Sequence, residues 1–114
     1  MKHLSYIIIG IALLLLASCG QQQRAKSVVK DFVQTQLHED ASYIDFADVD
    51  STHVLNDSII QSMRGRAAKN IQYQNYQGKT LMHIRAKYLL GKDTCSATFY
   101  LDKDMTGVVA FKRN

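Results

Sequence analysis

The chain has no proline, no internal repeat, no block of like charge and only two cysteines in its 114 residues. Each shortage removes a class of protein. With no proline-rich or low-complexity stretch there is no linker to divide it, and its length suits one domain. Without a repeat of roughly 20–50 residues it is not a solenoid or a propeller. The net charge is +4, but the basic residues are scattered. Their densest group, Arg64, Arg66 and Lys69, lies among polar residues and reads as a solvated helix face. Nucleic-acid modules show a denser basic stripe with interleaved aromatics, so no nucleic-acid partner is expected. No HxH, HExxH or CxxC spacing is present, so no metal and no cofactor are expected. His38, Glu39 and His53 are the residues that would have to meet for a metal site, and a polar helix end with a surface histidine is the reading preferred. Charged residues at 21% and hydrophobic residues at 46% give a globular rather than a disordered composition.

The one long apolar run is at the start. Lys2 and His3 form a short basic segment, followed by apolar residues from Ile7 to Leu16. That length suits a signal peptide and falls short of the ~20 residues of a membrane-spanning helix. The run ends in Leu16-Ala17-Ser18-Cys19, which resembles the bacterial lipobox. The resemblance implies cleavage between Ser18 and Cys19, with diacylglycerol transferred to the Cys19 thiol. Residues 1–18 are then a leader, residues 19–26 a lipidated cysteine with a polar tether, and residues 27–114 a single domain. Several acyl chains, at ~0.8 kcal/mol per buried CH2, make such an anchor effectively permanent. Residue 20 is Gly rather than Asp, and the tether is not acidic. By resemblance to sorting signals of other lipoproteins, this implies the outer membrane, with the domain facing the periplasm.

Behind the leader, Val28, Val29, Phe32, Val33 and Leu37 form a helical stripe, with Ser27 as its N-cap. Tyr43–Val49 alternates loosely as a strand with Ile44 and Phe46 on its inner side. Asn56 or Asp57 caps a second helix reaching about Asn70, with Ile59, Ile60, Met63 and Ala67 inward. Residues 82–90 alternate apolar and polar, as do residues 95–101, with a turn at Gly91-Lys92-Asp93 between them. A second turn, Asp102–Gly107, leads to a last strand at Val108–Phe111. Ile71–Gln77 is ambiguous. The expected architecture is α+β: two helices packed on one face of a curved antiparallel sheet of about four strands.

This order is similar to the cystatin-like and NTF2-like domains of small Bacteroidetes lipoproteins. The residues carrying the likeness are Asp40-Ala41-Ser42-Tyr43, Arg85-Ala86-Lys87, Gly91, Phe99-Tyr100-Leu101-Asp102 and Gly107-Val108-Val109. The likeness implies a fold, and a cleft between helix and curved sheet, rather than an activity. Tyr73, Tyr76, Tyr88 and Tyr100 are the candidates to line that cleft, since tyrosine suits an apolar site that needs hydroxyls.

Other motifs have plainer readings. Asp48-Val49-Asp50-Ser51-Thr52 matches the DxDxT of aspartate-nucleophile phosphatases, but two helices cannot build their doubly wound sheet. Asp102-Lys103-Asp104 lacks the glycine and glutamate of an EF-hand and reads as a hairpin turn. Cys95 alternates with Ala97, Phe99 and Leu101 and is expected in the core as a small hydrophobe. Asp50-Ser51-Thr52 and Asp57-Ser58-Ile59 resemble short acceptors of Bacteroidetes O-glycosylation. No nucleophile–base or carboxylate pair is fixed by spacing, and no residue is expected to be catalytic. The expectation is a non-catalytic, membrane-anchored envelope module that binds an envelope protein or a small ligand. The alternatives are an enzyme using an NTF2-like cleft, with Arg85, His83 and Asp48 as candidates, and an inhibitor of an envelope-directed hydrolase.

Overall fold

A computed structural model describes residues 20–76 and 80–114. The expected leader, and Cys19 with its cleavage site, lie outside the described residues. The chain forms helix α1 over 20–35, strands β1 (Ala41–Phe46) and β2 (Asp50–Thr52), and helix α2 (Asp57–Arg66). Strands β3 (Leu81–Leu90), β4 (Asp93–Leu101) and β5 (Val108–Arg113) complete it. It is the expected α+β fold, in which two helices pack against an open antiparallel sheet, here of five strands.

β3 is the long central strand. Its far half pairs with β1 and its first residues with β2, so these two short strands form one interrupted edge, while β4 and β5 follow on the other side. β3 and β4 are joined by a two-residue turn in which Gly91 takes φ 64, a left-handed conformation that glycine adopts without steric cost. Cross-strand pairing puts Ile84, Phe99 and Phe111 in one row, and His83, Tyr100 and Ala110 in the next. Neighbouring rows face opposite sides of the sheet.

α1 covers the face that carries Ile84, Ala86, Tyr88, Ala97, Phe99 and Phe111. Its buried residues Ala25, Val29, Phe32 and Val33 follow helical spacing. Phe32 meets Phe99 and Phe111 edge-on at centroid distances of 6.2 and 5.5 Å. A second, smaller cluster of Ile60, Met63, Leu81, Val109 and Ala110 seats α2 against β5. There Arg64 Nε donates to Val109 O at 2.9 Å, so α2 occupies the edge that β5 would otherwise leave open.

Four sequence-based expectations change. First, residues 20–26 are helical: they are the opening turns of α1, Ala25 is fully buried, and Ser27 lies inside the helix rather than capping it. Gln, Arg, Ala and Lys are all good helix formers, and one buried alanine extends the apolar stripe by a turn. Second, β1 carries a bulge between Tyr43 and Asp45, so Tyr43 and Phe46 share the inner face and Ile44 is 52% exposed. The extra residue reverses the alternation. Third, α2 ends at Arg66; Ala67, half-buried, is its extended C-cap, and Ile59 is exposed. Fourth, Asp50–Thr52 is a strand, and Ile71–Tyr76 forms none.

Candidate functional site

The four tyrosines do not meet in one cleft. Tyr88 is wholly buried in the main core, and its hydroxyl accepts from Arg113 at 3.2 Å. Tyr73 packs on Phe32 beneath the Arg64 guanidinium, which lies 4.9 Å from its ring centroid. Tyr76 and Tyr100 pack on the second cluster, with Tyr76 Oη donating to Leu55 O at 2.9 Å. Burial lifts the hydroxyls of Tyr73 and Tyr88 above the ordinary tyrosine range, the neighbouring Arg64 and Arg113 only partly offsetting it. Tyr43, half-buried beside Tyr88 and Glu39, is pushed up to about 12. These are core and edge aromatics with neutral hydroxyls.

The other candidates separate as well. His38 and Glu39 follow α1, near the end of β3, while His53 follows β2 at its start and shares a 3.0 Å hydrogen bond with Thr80. The ten residues of β3 hold those sites roughly 30 Å apart. Asp50 and Thr52 of the phosphatase-like motif sit on an antiparallel edge strand. His83 and Arg85 lie on the face away from α1, and Asp48 lies between β1 and β2. Ser51 is exposed on β2 and Ser58 is exposed in the first turn of α2. Cys95 is half-buried at the margin of the main core rather than inside it. In the Asp102–Gly107 turn, burial raises the Asp102 carboxyl but hydrogen bonds from Thr106 and Gly107 outweigh it and hold it below its ordinary value.

A groove of about 790 Å³ runs between the start of α1 and the 102–107 turn. Part of its polar lining is spent on the fold: Arg24 Nε donates to Met105 O at 3.1 Å, Gln74 Nε2 to Thr106 Oγ1 at 2.7 Å, and Gln72 N to Gln36 Oε1 at 2.9 Å. The Tyr73 hydroxyl, on the same lining, is buried without a hydrogen-bond partner.

A different cleft, about 720 Å³, opens where three chain segments end together: Gln36–Glu39 after α1, Met63–Asn70 at the end of α2, and Phe111–Arg113 of β5. This size is that of ordinary ligand sites, about 300–1,000 Å³. Its apolar lining is Leu37, Met63, Ala67 and Phe111. Its charged rim is Arg66, Lys69, Lys112 and Arg113, with Glu39 the one carboxylate. Glu39 Oε1 accepts from Arg113 at 2.6 Å, and that bond raises the Arg113 guanidinium further above its ordinary value. Among the described residues this is the one ion pair, so Arg66, Lys69 and Lys112 have no carboxylate within 4.0 Å.

Local sequence explains why the cleft exists. α1 closes with the N–H of Glu39 bonded to Val33 O at 3.1 Å and with His38 at φ 54, the left-handed closing turn that stops a helix sharply. α2 stops at the extended Ala67, and Asn70 turns the chain away at φ 72. Both helices therefore end at the margin of this cleft, over a floor in which Met63 and Phe111 are themselves nearly buried. Arg66 and Lys69, read from sequence as a solvated helix face, stand on this rim, whereas Arg64 is committed to Val109 O and Gln74 O. The cleft lining holds no serine, threonine, tyrosine or cysteine. Compared with known family models, curated proteins and solved structures, the chain matches none.

Proposed function

We propose that this chain is a lipid-anchored binding module of the cell envelope, attached through Cys19 and binding at the cleft between the ends of α1, α2 and β5. The observation that carries the reading is the make-up of that cleft. It joins an apolar floor to unpaired cations, the composition of a binding site, and its single carboxylate is held by Arg113. The lining also carries His38 beside Glu39, but no serine, threonine, tyrosine or cysteine to act as a nucleophile.

The position of the cleft supports the same reading. The described part of α1 starts one residue after Cys19 and rises about 1.5 Å per residue, so its far end lies roughly 24 Å from its start. An anchor at the near end leaves the cleft facing the aqueous side, out of reach of the lipid. Gly20 rather than an acidic residue after the cysteine supports the outer membrane, with the domain in the periplasm. Photo-crosslinking in intact cells tests the proposal, with the crosslinking side chain at Lys69 and a Cys19→Ala form alongside. Stoichiometric capture of an envelope component that falls away in Cys19→Ala is the expected result. Background capture alone, equal with and without the anchor, would sink the reading.

A further inference from the structure

Charge is concentrated at this cleft. Its rim holds three more cations than carboxylates, nearly the whole of the chain's net +4. Two helix ends point the other way, because the C-termini of α1 and α2 each bring roughly half a negative charge. That offsets about one unit and leaves the rim positive. Below it, Leu37, Met63 and Phe111 present carbon to the same space. An extended peptide is a poor fit, since it binds by adding a strand to a free sheet edge. At the start of β5 that edge is already taken, Val109 O accepting from Arg64 Nε and Val108 O from Gln74 N at 2.8 Å, which leaves only its last residues beside the cleft.

Resting on the reading of this cleft as the binding site, we infer that its ligand is an amphipathic anion: one acyl or alkyl chain ending in a carboxylate or phosphate. The chain lies along Leu37 and Ala67, above the nearly buried Met63 and Phe111, and the head is held by Arg66, Lys69 and Lys112. Arg113 stays on Glu39 and shapes the wall. Burial of the chain supplies ~0.8 kcal/mol per CH2, and the cations select the head over a neutral one.

The test uses the full lipidated chain in phosphatidylcholine vesicles with three diazirine probes of equal chain length: dodecanoate, dodecyl phosphate and dodecanol. Labelled sites are mapped by mass spectrometry. An anionic probe is expected to label residues 36–39, 63–70 and 111–113, roughly 5-fold more than dodecanol does, for about 1 kcal/mol from exposed cations. Labelling by only one anionic probe supports the inference and identifies the head group. Lys69→Gln with Lys112→Gln, both exposed positions, should remove that preference and leave dodecanol labelling unchanged. Ala67→Trp, which fills the cleft from its rim, should reduce labelling by all three. Equal labelling by dodecanol, or anionic labelling confined to residues beside the bilayer, would overturn the inference. Because purified chain is used, this result is independent of whether cell crosslinking finds an envelope partner.

Discussion

The Gln22 carboxamide bridges the break in the sheet edge: its Oε1 accepts from Val49 N at 2.7 Å, and its Nε2 donates to Ala47 O at 2.9 Å. A side chain thus takes the role of a missing strand partner between β1 and β2. Two residues on, Arg24 ties α1 to the carbonyl of Met105 in the opposite turn. The segment next to the expected anchor is therefore part of the fold, held at both sides of the sheet.

Gln22→Ala should cost about 1–2 kcal/mol, since it leaves a backbone N–H and a carbonyl without their partner. Chemical denaturation of residues 20–114 measures this directly. Residues 27–114 alone should lose more, because Ala25, Gln22 and Arg24 go together. Equal stability of the two lengths would mean that 20–26 is a tether after all.

Acid stability should depend on Asp102. Its folded carboxyl titrates below the ordinary value of 3.8, so it stabilises the fold above that value. The contribution is lost as pH falls through the lower folded value. Asp102→Asn should lower the melting temperature at pH 6 and flatten its fall below about pH 4. A mutant curve parallel to the wild type would contradict this role.

Alkaline stability has the opposite sign. Tyr43 titrates at about 12 against an ordinary 10.0, chiefly through burial. The neutral hydroxyl stabilises the fold below pH 10, and this is lost as pH rises through about 12. Tyr43→Phe should retain more of its stability between those limits. Ultraviolet titration reading Tyr43 ionisation near pH 10 in the folded protein would rule out that burial.

How much of this was legible in the residues follows from where each signal sits. β3 and β4 read clearly because apolar and polar residues alternate through the middle of each, from Met82 to Tyr88 and from Cys95 to Phe99. The same alternation already places Tyr88 and Tyr100 on opposite faces, which argues against a shared cleft. The bulge in β1 leaves no sequence mark, so plain alternation puts Ile44 on the side of Phe46. The opening turns of α1 were hidden because Gln21-Gln22-Gln23 carries no apolar period, and Gln22 works by hydrogen bonding to a segment 25 residues away. The cleft was beyond reach, since its walls come from three separate chain ends. Its one trace was the cluster around Arg66 and Lys69.

The most direct test of a module that stands on its anchor and binds at its far end is a pair of photo-crosslinking side chains in the native membrane. One replaces Lys103 in the turn beside the start of α1, and the other replaces Lys69 on the cleft rim. The expected result is phospholipid adducts at position 103 and none at position 69, which captures the envelope component instead. Phospholipid adducts at position 69 with none at 103 would turn the domain over, place the cleft against the bilayer, and contradict the arrangement proposed.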